Sequence, residues 1–158
     1  MYRIGLGSDI HRLVDGRALI LGGVEISSEF GAEGHSDADA LTHAITDAIL
    51  GALALGDIGQ HFSDNDELWR NAESLKFLRF AVRLIKERGF RVVNVDSVVS
   101  LEKPKLGPFI GEIRESLAAA LEVEAGMVSV KAKTNEKLDA VGRGEAIRVE
   151  AVVLLEKI

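Results

Sequence analysis

The chain is organised around the stretch GHSDADALTH at residues 34–43, which leads into an alanine-rich helical pattern and then into LGDIGQHFSDND at residues 55–66. Three of the four histidines and a run of carboxylates lie in these two stretches, at the two ends of the helical pattern. Imidazole and carboxylate groups bind divalent cations, and backbone N–H groups at a helix start bind phosphate. The pattern is therefore typical of a metal or phosphate site.

The helix between the two stretches is predicted to begin near Ser36. Ser36 and Asp39 have the spacing of a capping box, although aspartate stands where glutamate or glutamine is usual. Apolar residues then recur every four positions beside alanines, which predicts a narrow buried face that lets a neighbouring element come close: Leu41, Ile45, Ile49 and Leu53. Asp39, His43 and Asp47 form a separate polar row.

A candidate metal site combines this helix with the first strand. Asp9 and His11 follow an alternating apolar pattern that begins at Tyr2, so their side chains point the same way from a strand. Such a pair alone is more often ordinary surface chemistry. With His43 it provides three ligands and leaves a tetrahedral Zn²⁺ one open position. The alternative is that His43 only hydrogen-bonds to Asp39 or Asp47 along its own helix.

Three further segments carry groups that suit an anionic or polyol ligand. His35 and Ser36 offer an imidazole, a hydroxyl and free backbone N–H groups, although Ser36 can equally be a simple N-cap. Residues 57–59 and 62–66 form either an ordinary polar loop or a loop that binds a polyol. Residues 133–136, KTNE, end a strand with groups that orient phosphates and Mg²⁺, or they simply begin a loop.

The order of the remaining patterns predicts an α+β fold. Strands and helices follow as β, β, α, α, β, α, β, β, which favours a mixed sheet with helices on one face and the other face free for another layer or subunit. We interpret the helix predicted at residues 71–88 as purely structural. Residues 17–21 and 24–26, interrupted by Gly22-Gly23, form either a hairpin or a kinked strand. The other predicted elements are strands at 90–101, 128–133 and 147–155, and a helix at 109–121.

Composition narrows the class of protein. The length of 158 residues suits one domain covering residues 1–158, and the absence of cysteine excludes disulfides, thiolate metal sites and cysteine nucleophiles. A formal charge of −6 without a basic stripe argues against nucleic acid as a partner. No apolar run reaches membrane-spanning length and the N-terminus is typical of a strand, so we expect no membrane partner and a cytoplasmic protein.

Seven segments together resemble one family closely, the 2-C-methyl-D-erythritol 2,4-cyclodiphosphate synthases of the non-mevalonate isoprenoid pathway. Any one of them could arise by chance, but seven in register do not. They cover nearly the whole chain in the order and spacing of that family: Gly7–His11, Gly34–Asp39, His43 with Thr46–Ala48, Leu55–Gly59, Lys103–Lys105, Lys133–Leu138 and Gly142–Glu145.

The resemblance implies a reaction and its metals. The substrate would be 4-diphosphocytidyl-2-C-methyl-D-erythritol 2-phosphate, and the products the cyclic diphosphate and CMP, as in a phosphorus–oxygen lyase. The 2-phosphate attacks the β-phosphorus of the same molecule, so no protein nucleophile is needed. One Zn²⁺ per subunit would be bound by Asp9, His11 and His43, and Mg²⁺ or Mn²⁺ by Glu136 with the substrate phosphates.

The resemblance also implies the substrate contacts. His35 and Thr134 would act as catalytic residues that polarise the phosphates. The erythritol part would be held by Asp57, Ile58, Gly59, Phe62, Ser63, Asp64, Asn65 and Asp66. The cytidine pocket would be formed by Leu101, Pro104, Lys105, Leu106 and Gly107. Further contacts would come from Asp9, His11, Ser36, Lys133, Asn135, Glu136 and Arg143. A homotrimer is implied, with each site at a subunit interface and the cytidine pocket supplied by the neighbouring chain.

Some positions depart from the family pattern. Ala38 stands where glycine is frequent, and Lys133 stands where threonine is frequent. Ala140 and Ala146 replace phenylalanine and glycine beside the turn that lines a central cavity for an isoprenoid diphosphate in the family, so the resemblance does not extend to that ligand. Two alternatives remain open: a Zn²⁺-dependent phosphohydrolase on a related nucleotide-sugar-like substrate, and a non-catalytic trimeric binding module stapled by zinc.

Overall fold

The structure is a computed structural model that describes residues 1–63 and 65–158. Its strands are β1 (Tyr2–Asp15), β2 (Leu19–Leu21), β3 (Val24–Ile26), β4 (Phe30–Ala32), β5 (Phe90–Ser100), β6 (Val128–Lys133) and β7 (Ala146–Lys157). Its α-helices are α1 (Ala40–Ala52), α2 (Ile58–His61), α3 (Ser74–Lys86), α4 (Ile110–Leu121) and α5 (Asp139–Gly142). Single 3₁₀ turns lie at Glu67–Trp69, Gly107–Phe109 and Ala125–Met127.

Five of the strands form one mixed sheet in the order β4-β1-β7-β5-β6. β1 and β7 are antiparallel along almost their whole length, β5 is antiparallel to β7, and β5 and β6 are parallel. β2 and β3 form a separate hairpin around Gly22-Gly23, the first of the two alternatives that the sequence left open. The predicted mixed sheet of an α+β fold is confirmed, whereas β4, α2 and α5 were not predicted because three or four residues are too few to show a period.

Helix α1 lies directly against the backbone of β1. A Cβ atom placed on Gly7 would lie 2.0 Å from the carbonyl oxygen of Ala44, and one on Gly5 would lie 1.8 Å from that of Ala48. Glycine in the strand and alanine in the helix therefore let the two backbones touch. This confirms the predicted close approach, and it brings the side chain of His43 to the strand that carries Asp9 and His11.

The opposite side of β1 is apolar and exposed. Tyr2, Ile4, Leu6 and Ile10 are 59–72% exposed, and Val152 of the neighbouring β7 is 38% exposed. We call these five residues the exposed sheet face. β1 is half-buried, as predicted, but its buried side consists of glycines rather than of its large apolar residues. A contiguous apolar surface of this kind marks an interaction site in soluble proteins.

The predicted start of α1 was wrong by a few residues. The N-cap is Asp39, whose carboxylate accepts a hydrogen bond of 3.0 Å from the backbone N–H of Thr42. Ser36 cannot cap this helix because Ala38 adopts a left-handed conformation with φ of 56°. The Asp39 carboxylate also accepts the N–H groups of Gly22 and Gly23, so it ties the β2–β3 turn to the start of α1.

Helix α3 is shorter than predicted but buries the expected face. Leu78, Val82 and Ile85 are buried, and Gly89 with φ of 75° follows the end of the helix. Its N-terminal residue, Ser74, is fully buried against α1. Among the described residues, no helix is both long enough and apolar enough to cross a membrane.

Candidate metal and substrate site

Asp9, His11 and His43 meet where α1 crosses β1. The Oδ2 atom of Asp9 lies 2.8 Å from Nε2 of His11 and 3.0 Å from Nδ1 of His43, and these two nitrogens are 3.4 Å apart. Ligand atoms around a tetrahedral zinc ion lie about 3.3 Å from one another. The three side chains therefore converge as the sequence predicted, at a spacing that fits such an ion.

The donor atoms of this triad are also oriented for a cation. Nδ1 of His11 lies 2.7 Å from the carbonyl oxygen of Glu33, which can only accept a hydrogen bond. His11 therefore carries a proton on Nδ1 and, when neutral, turns an unprotonated Nε2 toward Asp9. The unprotonated imidazole nitrogen and the carboxylate oxygen then face each other with lone pairs and no proton between them, which is repulsive. A metal ion bound by both atoms removes this repulsion.

The close contacts within the triad shift the pKa values of Asp9 and His11. Burial works to raise the pKa of the Asp9 carboxyl, but in the metal-free protein, when the imidazoles are protonated, the hydrogen bonds from His11 and His43 outweigh it and hold that pKa well below its usual range. Burial works to lower the pKa of His11, but the hydrogen bond to Asp9 outweighs it and the pKa is raised. Asp9 is thus a permanent carboxylate at neutral pH, as a zinc ligand must be.

The alternative interpretation of His43 is wrong. The imidazole of His43 makes no hydrogen bond to Asp39 or Asp47, and only its backbone N–H donates to the carbonyl oxygen of Asp39 within the helix. Its Nε2 lies 2.7 Å from Oγ of Ser74 and 3.3 Å from Oγ of Ser36. Ser74 is the first residue of α3, so this helix, which we interpreted as purely structural, contacts the triad directly. Sequence periodicity could not reveal this contact, since Ser74 lies 31 residues from His43.

A cavity of about 200 Å³, here called the first cavity, adjoins the triad. Sequence analysis predicted five of its other lining residues: His35, Ser36, Ile58, Gly59 and Phe62. Trp69 and Phe77 also line it and were missed. Phe77 stacks on Phe62 with the ring centroids 4.4 Å apart, and Trp69 packs edge-on against Phe62 with the ring centroids 5.1 Å apart. The only signal was the spacing of aromatics around a polar loop, which is equally typical of a core.

The loop that follows α1 is anchored by two carboxylates. Oδ1 of Asp47 accepts the N–H of Ile58 at 2.7 Å, and Asp57 caps α2 by accepting the N–H of Gln60 at 2.9 Å. Burial raises the pKa of Asp47, against the opposing hydrogen bond from Ile58. Ser63, Asn65 and Asp66 are exposed and do not line the first cavity. Asp64 lies outside the described residues.

A second cavity, of about 600 Å³, lies between residues 27–30 and 102–105 and is also lined by Thr134. It brings together three predicted residues, Pro104, Lys105 and Thr134. Leu101 and Leu106 have side chains buried in the hydrophobic core, and Gly107 begins a 3₁₀ turn. The predicted pocket is therefore built from a loop whose ends are held in the core.

The predicted phosphate segment follows β6. Oγ1 of Thr134 donates to the Glu136 carboxylate at 3.3 Å, and Glu136 is exposed, as is Lys133. Glu102, which lies within the segment predicted to form the cytidine pocket, accepts the backbone N–H groups of Asn135 at 2.8 Å and of Lys137 at 3.3 Å. This carboxylate joins the loop of the second cavity to the phosphate segment.

The two cavities remain separate within one chain. Their linings share no residue, and Glu136 does not belong to the Asp9, His11 and His43 cluster, the only such cluster in the described part of the chain. Arg143 is exposed and pairs with Glu145 at 3.0 Å, so it touches neither cavity. The structure thus brings the first-cavity residues together but leaves Thr134 and Glu136 at another site.

Comparisons with known proteins agree on one family. The YgbB family matches residues 2–156. The chain is 57% identical over 155 residues to the 2-C-methyl-D-erythritol 2,4-cyclodiphosphate synthase of Solibacter usitatus, with 98% of each chain covered. A solved synthase structure in its CDP-bound form superposes with a TM-score of 0.91 at 44% identity and covers 98% of this chain and 100% of its own. The bifunctional IspDF of Campylobacter jejuni gives a TM-score of 0.96 at 39% identity; this chain is covered completely but spans 43% of that longer protein.

Proposed function

The chain belongs to the YgbB family, and from that membership we propose that it converts 4-diphosphocytidyl-2-C-methyl-D-erythritol 2-phosphate into 2-C-methyl-D-erythritol 2,4-cyclodiphosphate and CMP. The main structural support for this function is the convergence of Asp9, His11 and His43 beside the first cavity. It is a lyase of isoprenoid biosynthesis. The phosphohydrolase alternative is not favoured, because the curated relatives carry the synthase name.

The proposed cofactors are Zn²⁺ on Asp9, His11 and His43, and Mg²⁺ or Mn²⁺ on Glu136 with the substrate phosphates. The donor set supports zinc, since it offers two imidazole nitrogens and one carboxylate that stays ionised. Bound metal supplies a template and a Lewis acid for the phosphate groups. Side-chain exposures of 13% to 24% in the triad leave its cavity side open to a substrate oxygen.

The residues of the chain act by position and charge. Attack of the 2-phosphate oxygen on the β-phosphorus forms one P–O bond and breaks the bond to CMP, so the substrate must be folded with its phosphates close together. His35 and Ser36, beside the triad, would orient one phosphate. Thr134 would contact the diphosphate. The α2 segment, capped by Asp57 and anchored by Asp47, would hold the erythritol hydroxyls.

The complete site is proposed to form between subunits of a homotrimer. Within one chain the first cavity and the Thr134 cavity have no lining residue in common, which supports a site completed by a second subunit. The exposed sheet face offers an apolar surface for such contacts. The second cavity would take the cytidine moiety with Pro104 and Lys105, an assignment supported by the CDP-bound form of a relative.

We further propose that residues 1–158 act as one synthase domain in the cytoplasm. The family match over residues 2–156 and the single sheet that joins β1 to β7 support the first of these statements. The second follows from the phosphorylated substrate and from a cysteine-free chain that suits a reducing compartment.

The reaction is tested by incubating the protein with the cytidyl substrate in oxygen-18 water and analysing the products by mass spectrometry. We expect CMP and a cyclic diphosphate without label, because the attacking oxygen comes from the substrate itself. A phosphohydrolase would instead release a labelled linear product. Label in a linear product would therefore overturn the proposed reaction.

The metal assignment is tested by replacing one ligand. We expect His43→Ala to lose most of its bound zinc and its activity while remaining folded, because two ligands bind far more weakly than three. His61→Ala is the matched control for zinc content, since Nε2 of His61 donates to the carbonyl oxygen of Leu55 and His61 does not belong to the metal cluster. Elemental analysis of both variants gives the answer, and full zinc in His43→Ala would contradict the assignment.

A further inference from the structure

His43 is backed by two polar residues that neither the family resemblance nor the comparisons assign. We propose that Asp37 and Ser74 are positioning residues that fix the tautomer and the orientation of the His43 imidazole, so that Nδ1 is its metal-binding atom. This inference rests on the proposed zinc site and adds to it a carboxylate–hydroxyl–imidazole relay that runs from the start of α3 to the triad.

The relay is continuous in the structure. Nε2 of His43 lies 2.7 Å from Oγ of Ser74, and the same hydroxyl is in short hydrogen-bond contact with Oδ1 of Asp37. Ser74 is fully buried, so water does not compete for its hydroxyl. In a buried setting such a chain of hydrogen bonds is stronger than in water.

The direction of the protons follows from the chemistry of Asp37. An ionised carboxylate only accepts hydrogen bonds, so the Ser74 hydroxyl donates its single proton to Asp37. The oxygen of Ser74 is then left to accept, and the group facing it at 2.7 Å is Nε2 of His43. Nε2 therefore carries the imidazole proton, and neutral His43 has its lone pair on Nδ1, the atom 3.0 Å from Asp9.

Asp37 is itself held in place by backbone contacts. Its Oδ2 accepts the N–H of Ser74 at 3.0 Å, and its own N–H donates to the carbonyl oxygen of Ala72 at 3.1 Å. The carboxylate thus also lies at the positive end of α3, which stabilises its charge. Because α3 packs against α1, the start of α3 fixes the orientation of the His43 imidazole, which projects from α1.

Ser36 is a weaker candidate for the same role. Its hydroxyl lies 3.3 Å from Nε2 of His43 and already accepts the N–H of Ala38 at 3.2 Å. Ser36 also lines the first cavity, where a substrate phosphate would compete for its hydroxyl. Ser74 is not among the residues that line that cavity, so its contact with His43 is independent of the substrate.

Removing the Ser74 hydroxyl should weaken zinc binding without unfolding α3. Ser74→Ala keeps the backbone N–H that donates to Asp37, so the cap of the helix survives. Partners behind a metal-binding histidine are typically worth about 10- to 100-fold in metal affinity. We expect the zinc dissociation constant of Ser74→Ala to rise by about 10-fold or more. Asp37→Asn should give a smaller increase, because the amide oxygen still accepts from Ser74.

Ser97→Ala is the matched control for the loss of a buried hydroxyl. Ser97 is 2% exposed and donates to the carbonyl oxygen of Ser129 at 2.9 Å, on β5, which β7 separates from β1. Ser74→Thr is the conservative variant, which retains the hydroxyl and should restore most of the affinity. Circular dichroism and thermal unfolding of each metal-free variant report whether the fold is retained.

The test measures zinc affinity by competition with a chromogenic chelator and records the visible absorption of the cobalt-substituted protein. We expect weaker zinc binding and an altered cobalt spectrum in Ser74→Ala, with Ser97→Ala like the wild type. Zinc affinity and a cobalt spectrum in Ser74→Ala equal to those of the wild type would overturn the relay alone. A wild-type protein that binds no zinc would overturn the metal site and the relay together.

Discussion

Replacing Gly7 by alanine tests whether the contact between α1 and β1 sets the geometry of the metal site. The added Cβ atom would lie 2.0 Å from the carbonyl oxygen of Ala44, whereas ordinary contact begins at 3.4 Å. The helix backbone must therefore recede by roughly 1.4 Å, because neither atom belongs to a flexible side chain. His43 is the residue before Ala44 and moves with it.

The expected cost appears in both stability and metal binding. Overpacking of this kind typically costs about 1–3 kcal/mol, which lowers the melting temperature of a chain of this size by roughly 2–12 °C. Metal–ligand distances tolerate about 0.2 Å, so a displacement of His43 by more than 1 Å should remove most zinc affinity. The wild type should gain about 2.7 kcal/mol of stability at a zinc concentration 100 times its dissociation constant, and Gly7→Ala should gain much less.

Gly51→Ala provides the control in the same helix. A Cβ atom at Gly51 meets nothing within 4 Å, so this variant should be neutral or stabilised by about 0.5–1 kcal/mol. Thermal unfolding with and without zinc, together with chelator competition, measures both effects. If Gly7→Ala unfolds at the wild-type temperature and binds zinc equally well, backbone contact between α1 and β1 does not control the site.

Three further predictions address other parts of the molecule. Glu136→Gln should raise the Mg²⁺ concentration needed for half-maximal activity, because a neutral amide is a weaker ligand; an unchanged magnesium titration would contradict that role. Leu6→Glu should convert a trimer into monomers in analytical ultracentrifugation, while Leu68→Glu, at a residue equally exposed outside the sheet face, should not; a trimeric Leu6→Glu would refute assembly through that face. Burial raises the pKa of Asp47, so the folded protein binds this proton more tightly than the unfolded chain and loses stability as the pH rises from about 4 through the raised pKa. Asp47→Asn should therefore be more stable relative to the wild type at pH 7 than at pH 4 in urea unfolding, and a difference that does not change with pH would refute this explanation.

Much of the secondary structure was predictable from residue patterns. The alternation after Tyr2 predicted β1, the four-residue repeat from Leu41 predicted α1, and Gly89 marked the end of α3. Errors concentrated where local chemistry was ambiguous. Ser36 and Asp39 both suit an N-cap, and only the left-handed conformation of Ala38 decides between them.

The residues of the candidate site also fall into two groups, those that local sequence patterns predict and those that they do not. Asp9 and His11 share a strand face because side chains alternate, so their pairing follows from spacing alone. The addition of His43 required a resemblance or a structure, since no local rule places it next to residues 32 and 34 positions away. Ser74, Trp69 and Phe77 had no sequence signal that distinguishes them from ordinary core or loop residues.

The amino-acid sequence by itself determined the longer helices and strands, the types of candidate ligand and, through seven segments in register, the family. Those features depend on neighbours along the chain or on the identity of individual residues. Only the tertiary structure decided that the glycine side of β1 is buried against α1, that the large apolar side is exposed, and that Ser74 and Asp37 stand behind His43. These outcomes depend on how closely two backbones approach in space, and hydrophobic periodicity carries no information about that distance.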